Sequence, residues 1–293
     1  MLYSLNKKRG RYVMAMIKVG IVGLGLMGGS LSLALQKHSK DYYFIGLDHN
    51  ELHCKESLEL GLVDEIVTSI ETIKSCDIIF LSIPVDGIIS FTKQLSPLKE
   101  SCTVIDLGST KEKISLSIPS EIRKNFVAAH PMTGTEKFGP TAALENLYRD
   151  KVVVLCDLEK SGEYQQKIAK DLFSHIGMNI VCMGAKEHDR HAAFISHMPH
   201  AVSYALANSV VTQEDPRSIV ALAGGGFRDM SRIAKSSPNM WEDIFRQNKS
   251  NVLEAIHSFQ SELKKCQKMV ENEEWDTLNE WMLDANSLHD ILD

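Results

Sequence analysis

The chain has 293 residues, 44% hydrophobic and 24% charged, with a formal net charge of −6. It is longer than one typical domain and can bury roughly three quarters of its unfolded surface, while the acidic balance gives no electrostatic reason for nucleic acid and favours small-molecule partners. No run of about 18 apolar residues is present to span a membrane, and the six cysteines are scattered without a C-x-x-C spacing, as expected of reduced thiols in the cytoplasm.

Residues 1–15 carry a basic cluster with no apolar stretch behind it, so they do not form a secretory signal. They are expected to be a disordered extension outside the fold. Residues 17–35 (IKVGIVGLGLMGGSLSLAL) then read as strand, tight turn and helix. Ile17, Val19, Ile21 and Val22 form a β-branched run, Gly23, Gly25 and Gly28 follow at G-x-G-x-x-G spacing, and Met27, Leu31, Ala34 and Leu35 recur at helical spacing. The first glycine permits the turn, the second lets a pyrophosphate approach the backbone, and the third packs helix on strand. Free N–H groups at the helix start face the phosphates. Asp48 closes the apolar run 42–47, 20 residues after Gly28, where an acid would bond a ribose hydroxyl. The stretch with Gly23, Leu24, Gly25, Met27, Gly28 and Asp48 predicts a dinucleotide site; the alternative is a strand–turn–helix unit without a ligand.

Asn50 caps a helix expected to run to Leu60. Strands are predicted at 65–67, 77–83 (DIIFLSI, ended by Pro84), 103–107, 126–129, 151–156 and 179–183, with a helix at 163–175 between the last two. This pattern gives a doubly wound α/β domain over residues 16–184. Ligands in such sheets bind beyond the carboxyl ends of the strands, where Asp48, Ser82, Ser109 and His130 all fall.

Beyond residue 184 the strand signals stop and an all-helical domain, 185–293, is expected. Residues 185–212 read as one long helix bent at Pro199. Pro216 opens another, and Gly224, Gly225 and Gly226 break the chain before Phe227. Val252, Ile256, Phe259, Leu263, Cys266 and Val270 form a narrow seam for another helix, continued by Leu278, Trp281, Ala285, Leu288 and Leu292. No flexible linker separates the halves, so they should pack firmly together.

Three clusters could carry chemistry. His130, in AAHPMTGTEKFG, stands at a strand mouth, where an imidazole suits removal of a hydroxyl proton; a plain loop histidine is the alternative. His197 and His200 lie three apart on a helix, but no zinc spacing surrounds them even with Glu187, His188, Asp189 and His191 upstream, so no metal is expected. They read as packing histidines or as a polar pair lining a pocket. Arg228, Asp229 and Arg232 follow the glycines, and an arginine fork matches a carboxylate; a solvated charge cluster is the alternative.

Taken together, GLGLMGGS, LGSTK with Ser109, HPMTGTEKFG with His130, SHMPHA with His197 and His200, and GGGFRDMSRIAKSSPNMW with Arg232 and Trp241 resemble the prephenate dehydrogenase (TyrA) family. The resemblance covers nearly the whole chain from Ile17. It implies a Rossmann-type domain followed by a helical domain, and NAD-dependent oxidative decarboxylation of prephenate to 4-hydroxyphenylpyruvate on the way to tyrosine. His130 would take the hydroxyl proton, and Ser109 would bond the same hydroxyl and orient the imidazole. Arg232 would hold a substrate carboxylate and His200 would contact the substrate side chain. His197, Thr135 and Glu136 would shape or gate the pocket, with Trp241 among the substrate-binding residues. The cofactor residues extend to Ser82 and Pro84. The helical seams predict a homodimer, and the resemblance points the same way; any feedback by tyrosine is expected to act at the active site, since no separate regulatory domain is expected after Leu292. Arogenate dehydrogenase, another small dehydrogenase with a helical domain, and a non-catalytic dinucleotide sensor are the rivals.

Overall fold

The computed structural model describes residues 5–8, 11–14, 16–39 and 41–292. Strands β1 (Leu5–Lys8) and β2 (Arg11–Met14) pair antiparallel, Leu5 opposite Met14, as a ribbon separate from the main sheet. Residues 1–15 were expected to lack regular structure, and their described part holds this pair instead. Backbone donors and acceptors find partners whatever the side-chain pattern. The rest of that expectation lies outside the described residues.

Eight further strands form the main sheet: β3 (Ile17–Val22), β4 (Tyr42–Leu47), β5 (Glu65–Ile66), β6 (Ile78–Leu81), β7 (Thr103–Asp106), β8 (Phe126–Pro131), β9 (Val152–Cys156) and β10 (Asn179–Met183). Their order is β10-β9-β8-β7-β6-β3-β4-β5. All neighbours are parallel except β8 and β9, where Ala128 opposes Cys156 in antiparallel register. Parallel return needs a crossover, most often a helix. The segment between β8 and β9 contains only the 3-10 turn Pro140–Ala142, so the chain comes back in the opposite direction.

The central strands are apolar on both faces because helices cover both. Val19, Ile21, Phe80, Ile105 and Val127 form one core with Leu31 and Leu35 of the helix Leu26–His38 and Phe173 of the helix Glu163–His175. Val22, Ile79, Leu81, Val104 and Ala128 form the other with Val85 and Ile88 of the helix Val85–Thr92 and Ile114 of the helix Glu112–Ser117. Each such aliphatic side chain contributes about 1.5–3 kcal/mol when fully buried. Between β3 and β6 the strand order reverses, opening a crevice at their carboxyl ends.

The helical part begins with Ala185–Ala192, the π-helical turn Ala193–His197 and Met198–Val211. The single bent helix expected over 185–212 is thus interrupted by a wide turn. Pro199 has no N–H to return to the preceding turn, and the wider winding accommodates it at the start of the third piece. Pro216–Ala221, Gly225–Arg232, Pro238–Gln247, Lys249–Glu271, Trp275–Asn286 and His289–Leu292 complete it. Asp189 binds this part to the sheet by accepting from Lys111 N at 2.7 Å and Glu112 N at 2.9 Å. Arg246 reaches Asp86 on the helix Val85–Thr92 at 2.8 Å.

Candidate active site

At the carboxyl end of β3 the backbone turns sharply at Gly23, whose φ is +93°. A Cβ there would lie 2.5 Å from Ser82 O, and one on Gly28 would overlap Gly23 O. A Cβ on Gly25 would meet nothing within 4 Å. The first and third glycines are therefore demanded by the protein itself, while the second faces open space. Gly25 also stands as the N-cap of the helix Leu26–His38 without a side-chain cap, leaving first-turn N–H donors free. Space and donors together fit a pyrophosphate.

Asp48, at the end of β4, accepts from Leu24 N at 2.7 Å and Asn50 N at 2.9 Å. These bonds hold a carboxylate beside the turn. Its basic neighbours are imidazoles, with ring nitrogens of His49 and His53 at 3.4 and 3.6 Å. Ser82 donates to Gly23 O at 2.6 Å, so its hydroxyl locks the turn. Pro84 begins the next helix at the crevice edge and is exposed, Leu24 is buried beneath the turn, and Met27 O accepts from the buried Tyr148 hydroxyl at 2.7 Å.

Further along the same edge, Ser109 follows β7 and is partly exposed, while His130 lies buried near the end of the neighbouring β8. His130 Nδ1 is 2.8 Å from His188 Nε2, and His188 Nδ1 is 2.8 Å from Asp189 Oδ1. Fully buried Lys111 pairs with Asp106 and donates to Ala129 O at 2.7 Å. Burial pushes the His130 imidazole well below its ordinary range, with His188, Lys111 and His197 acting in the same direction. Burial likewise raises Asp106, against the opposing pull of Lys111. His130 is thus kept neutral, as a base must be. The orienting contact expected from Ser109 is made by His188. In the sequence His188 and Asp189 suggest only metal ligands, and nothing singles out Lys111 or Asn248; the adjacent His-Asp pair is the signal that points to this contact. Among the described residues no group of three or more His, Cys, Asp or Glu is arranged to hold a metal ion.

The helical side brings His197, His200 and Trp241 together. His200 stacks on Trp241 with ring centroids 3.5 Å apart, and His197 meets the same indole edge to face at 6.0 Å. His197 Nδ1 accepts from Asn248 at 3.1 Å. Its Nε2 and the Trp241 Nε1 are buried without a partner among the described residues, two donors available to an incoming acceptor. Burial lowers His197 to about 4 and lowers His200 as well. Arg232 ends the helix Gly225–Arg232 with its side chain 60% exposed, 3.9 Å from Glu136 in the loop after β8. Thr135 in that loop is exposed and accepts from Lys137 N at 3.2 Å. A carboxylate acceptor could displace Glu136 from the guanidinium.

The family model "Prephenate dehydrogenase, nucleotide-binding domain" matches residues 31–182, and "Prephenate dehydrogenase, dimerization domain" matches residues 184–284. Prephenate dehydrogenase of Bacillus subtilis is 32% identical over 280 residues, covering 93% of this chain and 75% of that protein. The crystal structure of prephenate dehydrogenase from A. aeolicus in complex with hydroxyphenyl propionate and NAD+ superposes with a TM-score of 0.88 at 35% identity, covering 96% and 99% of the two chains. Synechocystis arogenate dehydrogenase superposes at 0.78 with 28% identity, covering 94% and 100%.

Proposed function

The chain belongs to the prephenate dehydrogenase family, and on that premise we propose that it oxidises prephenate with NAD to 4-hydroxyphenylpyruvate and carbon dioxide. The observation that carries this reading is the buried, neutral His130 at the same sheet edge as the glycine turn. Gly23, Gly25, Gly28 and the first helical turn would hold the pyrophosphate, and Asp48 the adenosine ribose. When bound, NAD supplies the hydride acceptor.

His130 takes the proton from the ring hydroxyl as hydride departs from the carbon that bears it. The bond between the ring and its carboxylate then breaks, and its electron pair completes the aromatic ring. The oxygen recovers its proton from the His130 imidazolium and leaves as the phenol. Ser109 hydrogen-bonds the same hydroxyl. Arg232 holds a substrate carboxylate, His200 contacts the side chain, and His197 and Trp241 offer their buried N–H donors. Thr135 and Glu136 border the entrance. Exclusion of water and orientation are the main contributions of the protein, because aromatisation supplies the driving force.

Tyrosine carries the hydroxyphenyl group and a carboxylate, so it would occupy the same groups as an inhibitor. The helical domain would pair with a second copy. The arogenate reading is kept because of the Synechocystis neighbour. NADH formation measured with prephenate and arogenate, each with NAD and NADP, tests the proposal; no turnover of prephenate by correctly folded protein would remove it.

A further inference from the structure

We propose that His188 and Asp189 are positioning residues for His130, fixing the tautomer that leaves Nε2 free to accept the substrate proton and steadying the imidazolium that results. This rests on His130 being the base of the proposed reaction. The assignment follows from counting protons along one hydrogen-bond chain. Asp189 is an acceptor, with Oδ1 receiving Lys111 N at 2.7 Å and Oδ2 receiving Glu112 N at 2.9 Å. His188 Nδ1, 2.8 Å from Oδ1, must therefore be the donor. A neutral His188 has no second proton, so its Nε2 accepts. His130 Nδ1, 2.8 Å away, then carries the His130 proton and donates it. The lone pair is left at His130 Nε2.

A second proton on His188 would reverse the bond, place the His130 proton on Nε2 and disarm the base. Asp189 does not require that proton, since two main-chain N–H groups already stabilise its charge. The chain is rigid: His188 and Asp189 are each 2% exposed, and Asp189 O is held by Asn248 Nδ2 at 2.6 Å. The main-chain bonds to Lys111 and Glu112 also fix the loop that carries Ser109. One carboxylate thereby sets both groups that meet the substrate hydroxyl.

The groups facing His130 are His188 from the helix Ala185–Ala192, Lys111 from the loop after β7 with its partner Asp106, and His197 from the π-helical turn. Burial, Lys111 and His197 oppose a charge on His130, and so does a protonated His188; a neutral His188 instead presents an acceptor. The acceptor at His188 Nε2, backed by Asp189, is the counterweight during turnover.

Imidazole 15N NMR of the unaltered protein should find His130 and His188 both protonated at Nδ1 with bare Nε2. A His130 protonated at Nε2 overturns the proposal. In kinetics, His188→Phe should lower kcat about 10- to 100-fold, as for loss of a hydrogen bond to a charged group, with both KM values within about twofold. The acid limb of its kcat/KM profile should move to lower pH, because the imidazolium has lost its acceptor. His188→Gln, which restores an acceptor, should recover most of kcat and the original limb. An unchanged kcat, or a limb displaced to higher pH, contradicts the positioning role. If His188→Phe does not fold, the glutamine variant and the NMR measurement still decide. The NMR result does not depend on turnover, so a wrong choice of base would leave the tautomers as stated while the kinetic effects alone failed.

Discussion

His130 and His188, on a strand of the sheet and a helix of the second domain, meet through ring nitrogens 2.8 Å apart. The contact makes the proposed base a property of both domains. His130→Ala should therefore lower kcat by about 10² to 10⁴-fold with little change in KM, since a general base acts chiefly in the transition state. Steady-state kinetics with prephenate would check this, and near-normal kcat would remove His130 from the mechanism.

Cofactor preference should follow Asp48. Its two oxygens are held by Leu24 N and Asn50 N, so the carboxylate is fixed beside the glycine turn, and on the proposed placement of the ribose it would repel a 2′-phosphate. We expect a clear preference for NAD over NADP in kcat/KM. Asp48→Asn leaves one main-chain donor facing an amide, and efficiency with NAD should fall roughly 10-fold. Equal efficiencies of the unaltered protein with both cofactors would contradict the assignment.

Much of the α/β domain was legible because its signals are local. The glycine spacing beside a β-branched strand, the apolar run at 77–83 and the matching helix at Glu163–His175 all read correctly. The direction of β9 was not, because strand direction is set by the connection and not by the strand's own residues. Ser109 and His130 stand out in the sequence from their places after strands, and both lie at the carboxyl edge of the sheet. Their support was hidden: His130 and His188 are 58 positions apart, and Asp189 acts on main-chain groups that any sequence would possess. The π-helical turn escaped notice because proline announces a disturbance without stating how the helix absorbs it.

Arg232 faces Glu136 at 3.9 Å and is largely solvated, so its charge is available to a ligand. Arg232→Gln should raise KM for prephenate about 10- to 100-fold while altering kcat much less, as for removal of a charge-assisted bond made in ground and transition states alike. Tyrosine should compete with prephenate and bind more weakly to this variant. Noncompetitive inhibition undiminished by Arg232→Gln would point to a second site.

The seam on the helix Lys249–Glu271 is only partly covered by its own chain. Val252 is 5% exposed, but Leu263 is 57% and Val270 48% exposed, and Leu283 and Leu288 of the following segments are similarly open. A second copy would cover them. Light scattering at micromolar concentration should give a dimer, and Leu263→Asp should shift it toward monomer. A monomeric mass for the unaltered protein would count against the pairing.

Stability should fall in acid partly through His197. Burial holds its imidazole at about 4, and Asn248 Nδ2 donates to Nδ1, which leaves no lone pair for an added proton there without losing that bond. In the unfolded chain the same group titrates near its ordinary value of about 6.5. Above that pH both states are neutral and His197 contributes no pH dependence. As pH falls below it, the unfolded chain gains a proton that the folded protein refuses until about pH 4. The sign is therefore destabilisation on acidification, amounting to about 3 kcal/mol between pH 7 and pH 4. Urea unfolding of the unaltered protein and of His197→Gln at both pH values isolates this share, since other titrating groups are common to the two. The variant should lose about 3 kcal/mol less than the unaltered protein over that interval. Equal losses would mean that His197 takes up its proton in the folded state as readily as in the unfolded one.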